Sequence, residues 1–332
     1  MDERTIPDLM FAFIKSGLLK TAVDLELFTH IARGARSAAA VASAAGADRR
    51  AVGIVLDALS AIGVVRKDAD GYGLDPMAEM LLVKDSPAYV AGFTRVTLSP
   101  QLWQGVGKLT ETVRSGHPPE SMVDVPDHPF WETFSEASER ISDFGASAVA
   151  DQLGLAADAP AQILDVAAGS GVYGFSALQR LPNAHLTSLD WANVLEHARK
   201  HAAARGVAER VTWLPGSAFD APLPQAHFDA VICSHFFHHF DAVTNQRLTR
   251  RLFDAVKPGG RLLIHDFVPD DARAAHEGAL MFAVVMLATT EHGNSYTFGE
   301  YCDWLEAAGF RVLALQPVPM GASSVVVAQR PA

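Results

Sequence analysis

The chain has 332 residues, 49% hydrophobic and 20% charged, enough for two domains with their own cores and too apolar for disorder. A net charge of −11 argues against broad binding to nucleic acid or to anionic membranes. The two cysteines, Cys233 and Cys302, are too few for a disulfide framework and lack metal-ligand spacing, so a soluble cytoplasmic protein with reduced thiols is expected.

The N-terminus runs into an amphipathic pattern rather than the apolar core of a signal peptide. Leu9, Phe11, Phe13, Ile14, Leu18 and Leu19, and then Val52, Val55, Leu56, Leu59 and Ile62, recur at helical spacing. Residues 62–66 and 68–74 read as a small β-hairpin after those helices, a winged-helix-like arrangement. Such modules often bind DNA, but Arg33, Arg36, Arg49, Arg50 and Arg66 make no dense basic stripe. Residues 86–158 read as connecting helices broken at His117–Pro119 and Val125–Pro129. From Ala161 onward, strand-like runs at Ile163–Ala167, Leu186–Leu189, Val211–Leu214, Ala230–Ser234 and Leu262–Asp266 alternate with helical segments such as Val194–Gly206 and Thr244–Val256. Two further strand-like runs lie at Val312–Leu315 and Ser324–Ala328. Alternation of this kind predicts an α/β fold, a mainly parallel sheet covered by helices. The apolar run Ala279–Thr290 is too short to span a membrane and reads as a buried helix. The predicted division is 1–90, 91–158 and 159–332.

The most informative stretch is residues 163–174. A strand ends in Gly169, Gly171 and Gly174, with Asp165 inside the strand. Strand, glycine turn and helix in that order is how doubly wound folds hold a nucleotide-like ligand, although Gly-x-Gly-x-x-Gly alone also fits a plain tight turn. The next strand ends in Asp190, where an acid can accept the protons of two ribose hydroxyls or merely cap the following helix. Trp191 beside it is placed to cover an adenine face or to enter the core. Gly216–Asp220 follows the third strand, Phe228–His235 forms the fourth, and Lys257–Arg261 is a turn opening the fifth.

Together these motifs resemble the class I S-adenosylmethionine-dependent methyltransferases over about residues 160–332. A nicotinamide dinucleotide is the rival ligand. The glycine turn in mid-chain and the two C-terminal strands, similar to the antiparallel pair methyltransferases add to their sheet, count against it. The helical N-terminal part and the segment Thr297–Tyr301 leading to Ala307–Phe310 resemble bacterial relatives of the plant small-molecule O-methyltransferases. That resemblance implies a seven-stranded, doubly wound Rossmann-like sheet behind a winged-helix-like dimerisation domain, and a homodimer. It implies S-adenosylmethionine as cofactor, held by Asp165, Gly169, Gly171, Asp190, Trp191, Ser217, Ala218, Phe219 and Ser234. Where Ser217 stands the family usually has an acid, though a hydroxyl still accepts a hydrogen bond.

The same resemblance implies His238 as general base oriented by Asp266, with His239 and Phe240 in place of the Asp-Trp pair that usually follows the base. Histidine titrates near neutrality, and a base with its own carboxylate is the expected pairing for removing a phenol proton. The family's second supporting acid corresponds to Ser295 here. His265 is expected on the opposite side of its strand from Asp266. Some relatives methylate carbon using a metal held by a His-Asp pair and a later histidine, which keeps open a metal on His238, His239 and His292. No metal is otherwise expected. Trp103, Met281, Phe282, Val285, Met286 and Thr289 are candidate walls for an aromatic or polyketide-like acceptor, and any one of them reads equally well as plain core. From other classes, a winged-helix regulator and a non-catalytic cofactor-binding protein remain readings.

Overall fold

The computed structural model describes residues 2–121, 125, 128–318 and 322–332. The chain forms two compact units, divided in sequence between Ser99 and Pro100. In the first, α1 (Thr5–Asp24), α2 (Leu27–Ala32), α3 (Ala38–Ala45) and α4 (Arg49–Ala61) precede an antiparallel hairpin, β1 (Arg66–Asp68) and β2 (Gly71–Gly73), followed by α5 (Pro76–Leu82) and α6 (Thr94–Thr97). Helices α3 and α4 begin where the side chains of Ser37 and Asp48 accept the backbone N–H of Ala40 and Ala51. Leu27, Phe28, Val41, Val52, Leu56 and Leu59 form the core of this unit. Helix α1 instead leaves Ile6, Leu9, Met10, Phe11, Phe13 and Ile14 exposed.

The second unit opens with α7 (Pro100–Gly107), α8 (Leu109–Ser115) and α9 (Pro129–Asp151). Pro129 sits in the first turn of α9, where its missing N–H costs nothing, while Pro126 and Asp127 of the predicted break lie outside the described residues. Then come β3 (Ala161–Val166), α10 (Val172–Arg180), β4 (Ala184–Asp190), α11 (Ala192–Ala204), β5 (Val211–Pro215), β6 (Phe228–Ser234), α12 (Ala242–Ala255), β7 (Val256–Asp266), α13 (Glu277–Thr289), α14 (Phe298–Ala308), β8 (Arg311–Pro317) and β9 (Ser324–Gln329). They build one seven-stranded sheet in the order β5-β4-β3-β6-β7-β9-β8. The first five strands are parallel, and β9 and β8 join antiparallel.

Side chains alternate across this sheet with the period of two that a pleated strand imposes. Ile163, Ile232, Leu263, Val325 and Val327 pack on one face with α9, α10 and α11. Leu164, Val231, Cys233, Ile264 and Val326 pack on the other with α12 and α14. The interior strands are thus apolar on both faces, as a sheet covered by helices requires. One expectation needs correction. The predicted turn Lys257–Gly260 lies inside β7, where Gly259 takes φ +82° and the pairing with β6 shifts between Phe228 and Ala230. On the other edge of β7, backbone bonds join Gly259 and Gly260 to Arg330, just past β9.

The strand order reverses at β3, which has β4 on one side and β6 on the other, and a crevice at the C-terminal ends of these strands is where such sheets bind ligands.

Candidate active site

Three strand ends meet at this crevice. At β3, Ala167 (φ +53°), Gly169 (φ +56°) and Gly171 (φ +78°) bend the chain from strand into α10. A side chain on Gly171 would strike the ring of Phe175, whereas one on Gly169 would project into open space. The backbone at Gly169 therefore faces free volume, the property a ligand-binding turn needs. Asp165, buried in β3, accepts the Gly174 N–H at 2.9 Å and so ties the first turn of α10 to the strand. Burial pushes its carboxyl up to about 8. At β4, Asp190 accepts the Gly169 N–H (2.8 Å) and the Trp191 N–H (2.7 Å), and its carbonyl accepts from Gly216 (2.9 Å). Burial raises it to about 6, against the pull of those two amides. This one residue joins the glycine turn, the start of α11 and the loop after β5.

In that last loop the Ser217 hydroxyl already accepts the Phe219 N–H at 3.1 Å. Ala218 accepts the Arg251 guanidinium, and Phe219 lies among Phe236, Phe240 and Arg247. At β6, the Ser234 hydroxyl is buried with no hydrogen-bond partner, a cost that a bound polar ligand would relieve. Open space in front of Gly169 and an unpartnered Ser234 oxygen on the neighbouring strand end fit a nucleoside-like group in this crevice.

The fourth strand leads into a short 3-10 turn, Phe237–His239, held from below by Asn245 of α12, whose amide donates to the carbonyls of Phe237 (3.0 Å) and Phe240 (3.2 Å). Asn294 donates to the His238 carbonyl, and the Tyr296 hydroxyl to that of Phe240. His238, carried on this turn, is buried, and its Nδ1 lies 2.6 Å from Asp266 Oδ1. That same oxygen accepts the Phe267 N–H (2.9 Å). Oδ2 accepts the His238 N–H (3.2 Å) and the Tyr301 hydroxyl (3.1 Å). Burial alone would raise the Asp266 carboxyl, but the adjacent His238 holds it down to about 2. A neutral His238 that donates from Nδ1 to an ionised Asp266 can accept a proton at Nε2.

His265 takes the other side of β7, paired with the Tyr173 hydroxyl (2.9 Å) and Ser323 (2.8 Å). Burial pulls it down to about 4. Ser295 does not support the base, because its buried hydroxyl donates to the Ala279 carbonyl. Tyr301 is the second side chain on Asp266 instead, delivered by the start of α14, where Thr297 and Glu300 form a reciprocal capping box. Phe282 packs against His238 (4.7 Å between ring centroids) and stacks on Phe267 (3.9 Å). Trp131 meets His239 edge-on at 5.6 Å. Met286 and Thr289 are buried in α13, the Thr289 hydroxyl bonded back to Val285. Met281 is 59% exposed and Trp103 40%.

The predicted metal trio is not assembled. His292 is half exposed and sits 3.8 Å from Glu291, and the ligand atoms that converge within 4.8 Å among the described residues belong to His235, His238 and Asp266. The sequence assigns no role to His235, Tyr301 or Asn245. His235 directly follows the residue that ends β6, and Tyr301 directly follows the capping box, so position alone could have flagged both.

A model of the O-methyltransferase domain matches residues 124–311, and a model of the O-methyltransferase dimerisation domain matches residues 7–84. The chain belongs to the O-methyltransferase family. Its similarity to 3-hydroxy-5-methyl-1-naphthoate 3-O-methyltransferase of Streptomyces sahachiroi is 29% identity, over 97% of this chain and 93% of that one. With the tetracenomycin polyketide synthesis 8-O-methyl transferase of Streptomyces glaucescens it shares 28%, over 98% and 96%. A crystal structure from Nostoc punctiforme, provisionally named an O-methyltransferase, superposes with a TM-score of 0.92 at 32% identity, covering 99% of both chains. The protein is an S-adenosylmethionine-dependent O-methyltransferase, and fold neighbours have been solved with that cofactor or its demethylated product bound. Membership sets aside the dehydrogenase reading. No helix of the described residues is long and apolar enough to cross a membrane.

Proposed function

We propose that this O-methyltransferase acts on a phenolic hydroxyl of a small aromatic secondary metabolite, with His238 as general base and Asp266 as the group that orients it. The observation that carries the reading is the buried 2.6 Å pairing of His238 Nδ1 with an ionised Asp266 at the ligand crevice. The aromatic surroundings of that histidine, Phe282, Phe267 and Trp131 near His239, suit a flat acceptor. One Streptomyces relative is named for a hydroxynaphthoate and the other for tetracenomycin polyketide synthesis, which supports the same class.

In this reading the glycine turn at Gly169 and Gly171 backs the cofactor, Asp165 braces the turn, and Asp190 accepts from the ribose. Trp191, Ser217, Ala218 and Phe219 border the base, and Ser234 faces the cofactor from β6. Bound S-adenosylmethionine supplies a methyl group already activated by its sulfonium. The protein must orient the acceptor and take up its proton. A phenol with a pKa of about 10 is some 3 units from ionised at neutral pH, a deficit of about 4 kcal/mol. His238 Nε2, on the ring edge away from Asp266, is the atom that accepts this proton. Asp266 keeps the tautomer correct and stabilises the imidazolium that forms. Orientation of acceptor against donor contributes independently of the base.

The exposed apolar residues of α1 fit a homodimer through residues 1–90, with residues 91–158 contributing to the acceptor pocket and residues 159–332 binding the cofactor. The test is incubation with methyl-labelled S-adenosylmethionine and a panel of hydroxylated naphthalenes and anthracyclinone-like phenols. Label on oxygen supports the proposal, and label on carbon or nitrogen refutes it.

A further inference from the structure

His235 is used by neither the cofactor assignment nor the base. It directly follows β6 with φ +52°, a left-handed conformation rare for a residue with a Cβ, held by its backbone N–H donating to the His265 carbonyl at 2.7 Å. Strain of this kind persists where the surrounding structure enforces it, and it concentrates at functional sites. The ring is wedged between His265 (4.4 Å) and Phe267 (5.1 Å), with His238 6.1 Å away. Its Nδ1 is buried without a hydrogen-bond partner and points at Asp266, 4.0 Å from Oδ1. The side chain remains 24% exposed although Nδ1 itself is buried.

His235 and His238 both turn Nδ1 toward one carboxylate, Asp266, but only His238 bonds to it, at 2.6 Å, while His235 Nδ1 stands 4.0 Å away and unpaired. Burial holds His235 far below the ordinary histidine range, so it is neutral and carries one donor and one acceptor. The nitrogen without the proton can accept a hydrogen bond. Methylation of a single hydroxyl needs one such acceptor, and the crevice has two side by side.

We propose that the acceptor carries a second hydroxyl on an adjacent or peri ring position, and that His235 is the specificity-determining residue that binds it while His238 takes the proton of the hydroxyl to be methylated. This rests on the reading of His238 as base, and it narrows the substrate class from phenols to vicinal or peri-dihydroxyarenes.

The experiment compares kcat/KM for matched pairs, 2,3-dihydroxynaphthalene against 2-naphthol and 1,8-dihydroxynaphthalene against 1-naphthol. Wild type, His235→Phe, His235→Asn and His238→Ala are measured with the cofactor saturating. Wild type should prefer at least one diol by about 10-fold, the value of one hydrogen bond, mostly through KM. His235→Phe should collapse that ratio to near 1. His235→Asn, which tolerates the left-handed backbone and still accepts a hydrogen bond, should keep part of it. Equal treatment of diol and mono-ol by wild type overturns the proposal, whatever the variants do. So does a His235→Phe enzyme that loses both activities in the same proportion. His238→Ala separates the two readings, because full turnover there sinks the base while leaving the diol ratio and its dependence on residue 235 to be judged separately.

Discussion

Asp266→Asn tests the site with almost no change of shape. The carboxylate accepts four hydrogen bonds, from His238 Nδ1, the Phe267 and His238 amides and the Tyr301 hydroxyl. An amide offers one oxygen and must turn its NH2 toward two of those four donors. A charge-assisted bond of this type is worth about 1.5–3 kcal/mol, and its loss from the imidazolium-like transition state lowers kcat about 10- to 100-fold. The stranded donors cost the fold as well, about 2–4 kcal/mol, which in a chain of this size lowers Tm by roughly 3–6 °C. Calorimetric affinity for S-adenosylmethionine should stay within about 2-fold, since Asp266 lies outside the proposed cofactor set. The assay is kcat from pH 6 to 9 with a saturating phenol, alongside thermal melts and cofactor titration. A kcat within 3-fold of wild type at neutral pH refutes the assignment of Asp266, and a parallel loss of cofactor affinity shows that the substitution disturbed the whole crevice instead.

Asp190→Ala removes the acceptor of the Gly169 and Trp191 amides and should weaken S-adenosylmethionine binding by at least 10-fold in calorimetry, with unchanged affinity excluding the ribose role. Stability should depend on pH from both sides. His265 titrates at about 4 when folded and at its ordinary 6.5 when unfolded, so the unfolded chain takes up the proton first. Its contribution of about 3 kcal/mol is complete above pH 6.5 and lost as pH falls toward 4, and His235 and His239 act in the same direction. Asp165 acts oppositely, raised from 3.8 to about 8, so it favours folding at low pH and the benefit fades as pH climbs through that window. Melts of Asp165→Asn, which keeps an acceptor for the Gly174 amide, should therefore gain on wild type between pH 6 and 9, and no gain refutes the buried acid. Methyl transfer should survive EDTA, because His238 and Asp266 are joined at hydrogen-bond distance, and activity lost to EDTA and restored by ferrous iron would contradict that.

The parts of this molecule that were legible in sequence are those with a short-range signature. The β3 glycine turn, the acid ending β4 and the alternation of strands and helices each follow from local pattern, and the sheet assembles them as expected. His238 and Asp266 were paired through resemblance at a separation of 28 residues, and the sheet register brings them within 2.6 Å. What stayed hidden depends on contacts distant in sequence. Tyr301 reaches Asp266 only because α14 packs on the face of β7 opposite His265, and no local pattern encodes a bond across 35 residues. Ser295 was aligned with a supporting acid, but its hydroxyl is consumed by α13. His292 looked like a third ligand because it is a histidine in the right part of the chain, yet its side chain lies half exposed beside Glu291. His235 carries a signal visible only in φ.

The central claim is that His238 removes the acceptor proton. The most direct measurement is single-turnover methyl transfer by wild type and His238→Ala with phenols of graded acidity at one pH. A general base contributes about 10²- to 10⁴-fold for a weakly acidic phenol and progressively less as the phenol ionises by itself. With His238 as the base, the ratio of wild-type to variant rates falls toward 1 across that series. A ratio that stays constant, or that is near 1 for the least acidic phenol, contradicts it.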